Sequence, residues 1–151
     1  MSALQDHEPP LLIALKAVPD MRAVGGNRQY AHWSQRHREV EAEKAKWILA
    51  LLEAGLQPRQ EPLYTGKVRI DVEMVFPVTR GGIKDEDNTR AALKYLADCL
   101  EVHRVIPHGA SWTVRGFAGI VANDRDISWG AVTITRDTKR APLTVLTVQV
   151  Y

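Results

Sequence analysis

The chain has a single cysteine, Cys99, in 151 residues. That excludes an internal disulfide framework and any metal site built on paired thiolates. Long apolar runs are missing too: the run Leu11 to Leu15 stops at Lys16, far short of the ~20 residues of a membrane span. The first residues, Met1-Ser2-Ala3-Leu4-Gln5-Asp6-His7-Glu8, lack the basic start and apolar middle of a secretory signal. These absences lead us to expect a cytoplasmic protein with no membrane partner. No Gly-Lys-Ser/Thr follows Gly25-Gly26-Asn27, so the glycine pair marks a turn and not a phosphate-cradling loop. No serine or cysteine nucleophile signature is present. Nor is there a large excess of either charge; a formal net charge of +2 argues for no polyanion partner by itself.

What is present suits one domain with a real core, at 45% hydrophobic and 25% charged residues. Residues 1–10, ending in Pro9-Pro10, read as a disordered tail, and 11–151 as a single domain. Leu11 to Val18 is a short apolar strand ended by Pro19. Ser34 is a plausible N-cap for a helix over Gln35 to Ala54, with Val40, Trp47, Ile48, Leu51 and Leu52 on one face and Gly55 at the C-terminal cap. Lys67 to Phe76 alternates: Val68, Ile70, Val72, Met74 and Phe76 on one face, mostly polar residues on the other. A second helix starts near Asn88, with Ala92, Leu93, Leu96, Ala97 and Leu100 as its apolar stripe. Glu101 to Ala122, rich in glycine, reads as a long excursion holding a short strand. Ile127 to Thr135 and Leu143 to Val150 are β-branched strands, expected to form a hairpin through Arg136 to Pro142. The order β-α-β-α-β-β implies an α/β (α+β) domain of two layers, helices against one mixed sheet.

The chemistry concentrates in Lys84-Asp85-Glu86-Asp87-Asn88, between the alternating strand and the second helix. Asp is favoured at helix starts, where it caps free amides and meets the positive end of the dipole. Capping needs only one Asp, however, and three neighbouring carboxylates repel one another unless cations compensate. Such a cluster can hold a hard divalent cation, and in an extended linker Asp85 and Asp87 point the same way. A metal held so can clamp a phosphodiester and activate water. Basic groups flank this centre. Arg22, Arg28, Arg36 and Arg38 lie towards the N-terminus, and from Val102 to Tyr151 six Arg/Lys (Arg104, Arg115, Arg125, Arg136, Lys139, Arg140) face three Asp. From charge alone, a solvated mixed-charge surface is the better reading.

Other candidates are weaker. Cys99, His103 and His108 lack a second cysteine for a zinc site and read as a buried thiol with surface histidines. His32 and His37 read as surface residues. Trp47 belongs to the core, whereas Trp33, Trp112 and Trp129 are candidates for stacking on unpaired bases, with Trp33 the one most expected at the surface.

The pattern Asp85-Glu86-Asp87-Asn88, followed by Leu93-Lys94-Tyr95-Leu96-Ala97-Asp98-Cys99-Leu100, resembles the RusA-like Holliday junction resolvases. There an Asp-x-Asp-Asn opens a lysine-bearing helix. Asn27-Arg28-Gln29-Tyr30-Ala31-His32-Trp33-Ser34-Gln35-Arg36 is similar to the family's segment leading into its first helix. Asn123-Asp124-Arg125-Asp126-Ile127 resembles its Asp-Asp-x-Gln-Val ahead of a terminal hairpin. The resemblance runs in order over most of residues 11–151. It implies a homodimeric endonuclease of DNA recombination and repair, which binds four-way DNA junctions and nicks two strands symmetrically, leaving 5′-phosphate and 3′-hydroxyl ends. It also implies Mg2+ or Mn2+ as cofactor, held by Asp85, Asp87 and Asp124, which would form the catalytic centre.

Two positions depart from the family pattern. The family lysine falls at Ala91, which makes Lys94 the candidate for its catalytic, phosphate-contacting role, with Arg90 near the same helix face. Counting to the third Asp lands on Ile106-Pro107-His108-Gly109. Either Glu101 to Ala122 holds an insertion and Asp124 (or next Asp126) is the equivalent, or His108 stands in that place. Arg28, Arg36, Arg80 and Arg90 are the residues expected to track DNA phosphates. A non-catalytic DNA-binding or assembly module on the same scaffold is the alternative.

Overall fold

The structure, a computed structural model, describes residues 9–19, 33–77 and 86–151, without the side chains of residues 33 and 86–89. Along these the elements are β1 (Leu11–Leu15), α1 (Trp33–Glu53), β2 (Val68–Phe76), α2 (Glu86–Leu100), β3 (Val102–His108), β4 (Ser111–Ala118), a 3-10 turn at Asp124–Asp126, β5 (Ile127–Arg136) and β6 (Leu143–Val150).

The alternating segment becomes β2, and it lies inside a four-stranded sheet of order β1-β6-β2-β5. β6 runs antiparallel to both β1 and β2, and β5 runs parallel to β2, so the sheet is mixed. The registers stack apolar side chains into rows across the sheet. One row is Ile13–Leu146–Val72–Val132, and another is Leu11–Val148–Ile70–Trp129. Val68, Ile70, Val72, Met74 and Phe76 are all buried, which contributes roughly 1.5–3 kcal/mol per side chain before entropy is set against it.

Both helices pack their apolar faces into that one core, giving the expected two-layer α/β arrangement. α1 buries Trp47, Ala50 and Leu51. Its end is set by Gly55, at φ 93°, with Leu56 N–H donating to Leu51 O and Gly55 N–H to Leu52 O, both at 3.0 Å. That pair of bonds is the Schellman arrangement. The one charged residue buried in α1, Glu43, is paired with Lys46, whose Nζ also donates to Val18 O at 2.6 Å and lies 5.3 Å from the Trp47 ring centroid. α2 is buried on most of its circumference, by Ala92, Leu93, Tyr95, Leu96, Ala97, Cys99 and Leu100. A parallel crossover from β2 to β5 needs such an element in between.

Two expectations are corrected. Ile127 to Thr135 and Leu143 to Val150 do form strands, but they do not pair as a hairpin, because β2 lies between them. The connector instead crosses the end of β2, where Asp137 N–H donates to Phe76 O at 2.9 Å. β2 is the most buried strand and takes a central place, and a strand there needs a neighbour on each edge. The excursion after α2 is also more regular than expected. β3 and β4 form a separate two-stranded antiparallel sheet. Its base is bent where Val102 faces both Phe117 and Ala118. Gly116 makes that bend possible: at φ 69°, a Cβ there would sit 2.0 Å from Val102 O. Among the described residues no helix is long and apolar enough to cross a membrane.

Candidate acidic site

Asp85 and Arg80 lie in the crossover between β2 and α2, and Arg28 precedes α1; all three are outside the described residues. α2 begins at Glu86, so Glu86, Asp87 and Asn88 occupy its first turn, although their side chains are outside the described set. Carboxylates there meet the positive end of the helix dipole. Lys94 is exposed on α2, two turns along the row that starts at Asp87, and Ala91 between them is exposed as well. Arg36 is exposed near the start of α1.

Arg90 has a structural job. It is half-buried, and its Nη2 donates to Gly130 O on β5 at 2.8 Å. Gly130 lies in a bulge where the register slips between Ile70 and Val72. The extra residue there leaves a backbone amide without a ladder partner. Asp71 Oδ1 supplies one, accepting from Ala131 N–H at 2.8 Å and from Arg69 Nε at 3.1 Å. A Cβ on Gly130 would come within 1.9 Å of that oxygen. This brace between α2 and the β2–β5 pair was missed in the sequence; a glycine between Trp129 and Ala131 inside a β-branched strand was its signal.

Asp124 opens the 3-10 turn at the start of β5, with its backbone N–H donating to Glu101 Oε2 at 3.1 Å. Glu101 follows the last turn of α2, while Asp87 belongs to the first. With 15 residues in α2, the two ends are ~20 Å apart at 1.5 Å per residue. The structure therefore brings Asp124 to Asp98 and Glu101, and does not bring it to Asp87 within one chain. These three carboxylates, with Asn123, Arg104 and Arg115, line a small open cleft of about 150 Å³. Burial pushes the Glu101 carboxyl above its usual range; the Asp124 amide works against this, and the Asp124 and Asp98 charges add to it. Asp126 is half-buried in the same turn. His108 ends β3 at the tip of the β3–β4 hairpin. The count that reaches His108 therefore falls inside this hairpin. Among the described residues no three His, Cys, Asp or Glu side chains are arranged to hold a metal ion.

Cys99 is buried, with its Sγ 3.7 Å from Lys44 O, and burial pushes the thiol up to about 12. His103 turns its Nδ1 to Gly116 O at 3.3 Å. Trp47 is buried and Trp129 half-buried, while Trp112 is 68% exposed on the hairpin. The side chain of Trp33 is outside the described set. No protein-family model matches the chain, and no curated protein matches its sequence.

Proposed function

We propose that the chain is a divalent-metal-dependent endodeoxyribonuclease that acts on four-way DNA junctions as a homodimer, in the manner of the RusA-like resolvases its motifs resemble. The observation that carries this reading is Asp85-Glu86-Asp87-Asn88 at the entrance to α2. Asp85 and Asp87 are the residues that would hold Mg2+ or Mn2+. Hard oxygen donors suit such ions, which are commonly held by one or two carboxylates with several waters retained. The bound ion supplies polarisation of the scissile phosphate and a lowered pKa for an attacking water. Lys94, exposed on the same helix, offers its ammonium to the phosphate. Arg28, Arg36 and Arg80 are assigned to the DNA backbone. Arg90 is already engaged with Gly130, so its weight in that set falls on the fold. A four-way junction presents paired strands about a two-fold axis, which a symmetric dimer matches.

Because α2 stands between Asp87 and Asp124, Asp124 joins this ion only from a second copy of the chain. That separation also supports the second reading, a non-catalytic DNA-binding or assembly module. Manganese titration by calorimetry, run beside junction binding, distinguishes the two. The nuclease reading predicts saturable metal binding that Asp85→Asn and Asp87→Asn each weaken by more than the ~10–100-fold typical of outer-shell groups. Junction binding that is tight, metal-independent and unchanged in both variants supports the module and sinks the nuclease.

A further inference from the structure

The connector from β5 to β6, Arg136-Asp137-Thr138-Lys139-Arg140, carries three cations in five residues. Its one carboxylate is turned to the backbone. Asp137 Oδ1 accepts from Lys139 N–H at 2.9 Å, and Asp137 O accepts from Arg140 N–H at 3.2 Å. The N–H of Asp137 donates to Phe76 O at 2.9 Å, which pins this turn to the end of β2. Asp137 is half-buried, whereas Lys139 and Arg140 are exposed. A turn held by its own Asp presents neighbouring cations with little backbone freedom left to lose on binding. Among the described residues neither the Lys139 ammonium nor the Arg140 guanidinium has an ion-pair partner.

The connector lies at one pole of the charge distribution. β1, β2 and β5 all run the same way, since β6 is antiparallel to β1 and β2, and β5 is parallel to β2. Their carboxyl ends therefore meet at the end of the sheet where the connector sits. Over the described residues 14–19, 74–77 and 134–143 the only carboxylate is Asp137, against Lys16, Arg136, Lys139 and Arg140. At the opposite end Asp98, Glu101 and Asp124 gather around Arg104 and Arg115. A local positive field draws polyanions, and the carboxyl ends of parallel strands are where open α/β sheets take their ligands.

The same contacts set the connector's distance from the acidic stretch. α2 runs opposite to β5, because Arg90 reaches Gly130 while Glu101, past the last turn, reaches Asp124. Asp87, one turn ahead of Arg90, is thus displaced towards the connector. Gly130 to Arg136 is about 20 Å of strand at ~3.3 Å per residue. The three helical residues from Arg90 back to Asp87 take up ~4.5 Å of it. Roughly 15 Å remains along the sheet, the rise of four to five base pairs of duplex.

We propose that the β5–β6 connector grips a duplex arm of the substrate, with Lys139 and Arg140 on backbone phosphates roughly five base pairs from the one at the entrance to α2. This rests on the nuclease reading and adds a contact to it. Such contacts fix register on the duplex and carry no sequence preference.

Equilibrium binding of a labelled four-way junction over a salt series tests it, with chelator present so that no strand is cut. Lys139→Ala and Arg140→Ala should each lower the slope of log affinity against log salt by about 0.9, as one lost phosphate contact does. Arg125→Ala removes a cation at the far end of β5 and should leave the slope unchanged. All three side chains are exposed, and thermal melts check that each variant folds. A methylphosphonate scan along each arm reads the position. Neutralising the phosphate roughly five base pairs from the nick should weaken binding by the wild type and not by the Lys139→Ala/Arg140→Ala double variant. Manganese affinity should match the wild type in that variant, since the connector supplies no ligand. Slopes that stay unchanged in both connector variants, or fall as far in Arg125→Ala, overturn the contact. So does a scan in which wild type and double variant respond alike. If the wild type nicks junctions in metal while those results fail, the nuclease reading stands without this contact. A wild type that binds no junction at any salt concentration overturns both.

Discussion

At the scale of single residues, the side chains that do most are ones whose neighbours restrict them. Asp71 completes the bulge at Ala131, so Asp71→Ala should cost about 1 kcal/mol in a urea melt, the ordinary worth of a partly exposed hydrogen bond. Gly116→Ala is more severe, because it combines a left-handed φ with backbone contact at Val102 O; we expect roughly 2–4 kcal/mol. Cys99 should stay unreactive to a thiol reagent in the folded protein at neutral and mildly alkaline pH, and react only when the chain unfolds, since burial holds its thiol at about 12. Reaction at the rate of a free thiol would contradict that burial. Glu101 gives a pH signature. Its folded-state pKa is raised above about 4.5, chiefly by burial. Folding therefore takes up a proton between the two values, and stability falls as pH rises through that window. Glu101→Gln should flatten this slope, read as melting temperature against pH from the usual carboxylate value upward; an unchanged slope would mean that another group carries it.

At the scale of elements, legibility followed how strongly a segment's pattern was tied to burial on one side. Lys67 to Phe76 could be read almost to the residue, because its alternation is the same fact as its one buried face. The first helix, expected over Gln35 to Ala54, spans Trp33–Glu53, and Gly55 supplies its expected cap. Leu143 to Val150 has the predicted bounds. Strand pairing was not legible in the same way. Local pattern names a strand but does not say which edge it joins, and adjacency in sequence favoured a β5–β6 hairpin that the central place of β2 forbids. The β3–β4 hairpin escaped notice for a different reason. Its residues are exposed on both faces, so Pro107, Gly109 and Gly116 looked like loop residues when they are the tip and bend of a ribbon. The same exposure singles out Trp112 as the exposed tryptophan among those whose side chains are described; the expectation for Trp33 lies outside them. For the acidic site, the stretch at α2's entrance stood out in sequence, while the place of Asp124 at the other end of α2 depends on the crossover and has no local signal.

At the scale of the whole molecule, the proposal is a two-fold enzyme whose chemistry begins at Asp85 and Asp87. If Asp124 serves the same ion, it does so from the other subunit, and mixing has a sharp consequence. Asp87→Asn and Asp124→Asn are each inactive alone, but a mixed dimer of the two contains one site with both aspartates intact, so activity returns on mixing. A site confined to one chain gives no recovery. Affinity for a junction should also fall steeply with salt as phosphate counterions compete. The measurement that bears most directly on the central claim is strand nicking of an end-labelled four-way junction, beside a linear duplex of the same sequence. It is run with magnesium, with manganese and with chelator, for the wild type and for Asp87→Asn. The account predicts paired, symmetric nicks in the junction alone, dependent on metal, and lost in an Asp87→Asn protein that still binds the junction. Nicks that persist in chelator or in Asp87→Asn, or a wild type that binds junctions and leaves them whole in either metal, would contradict it.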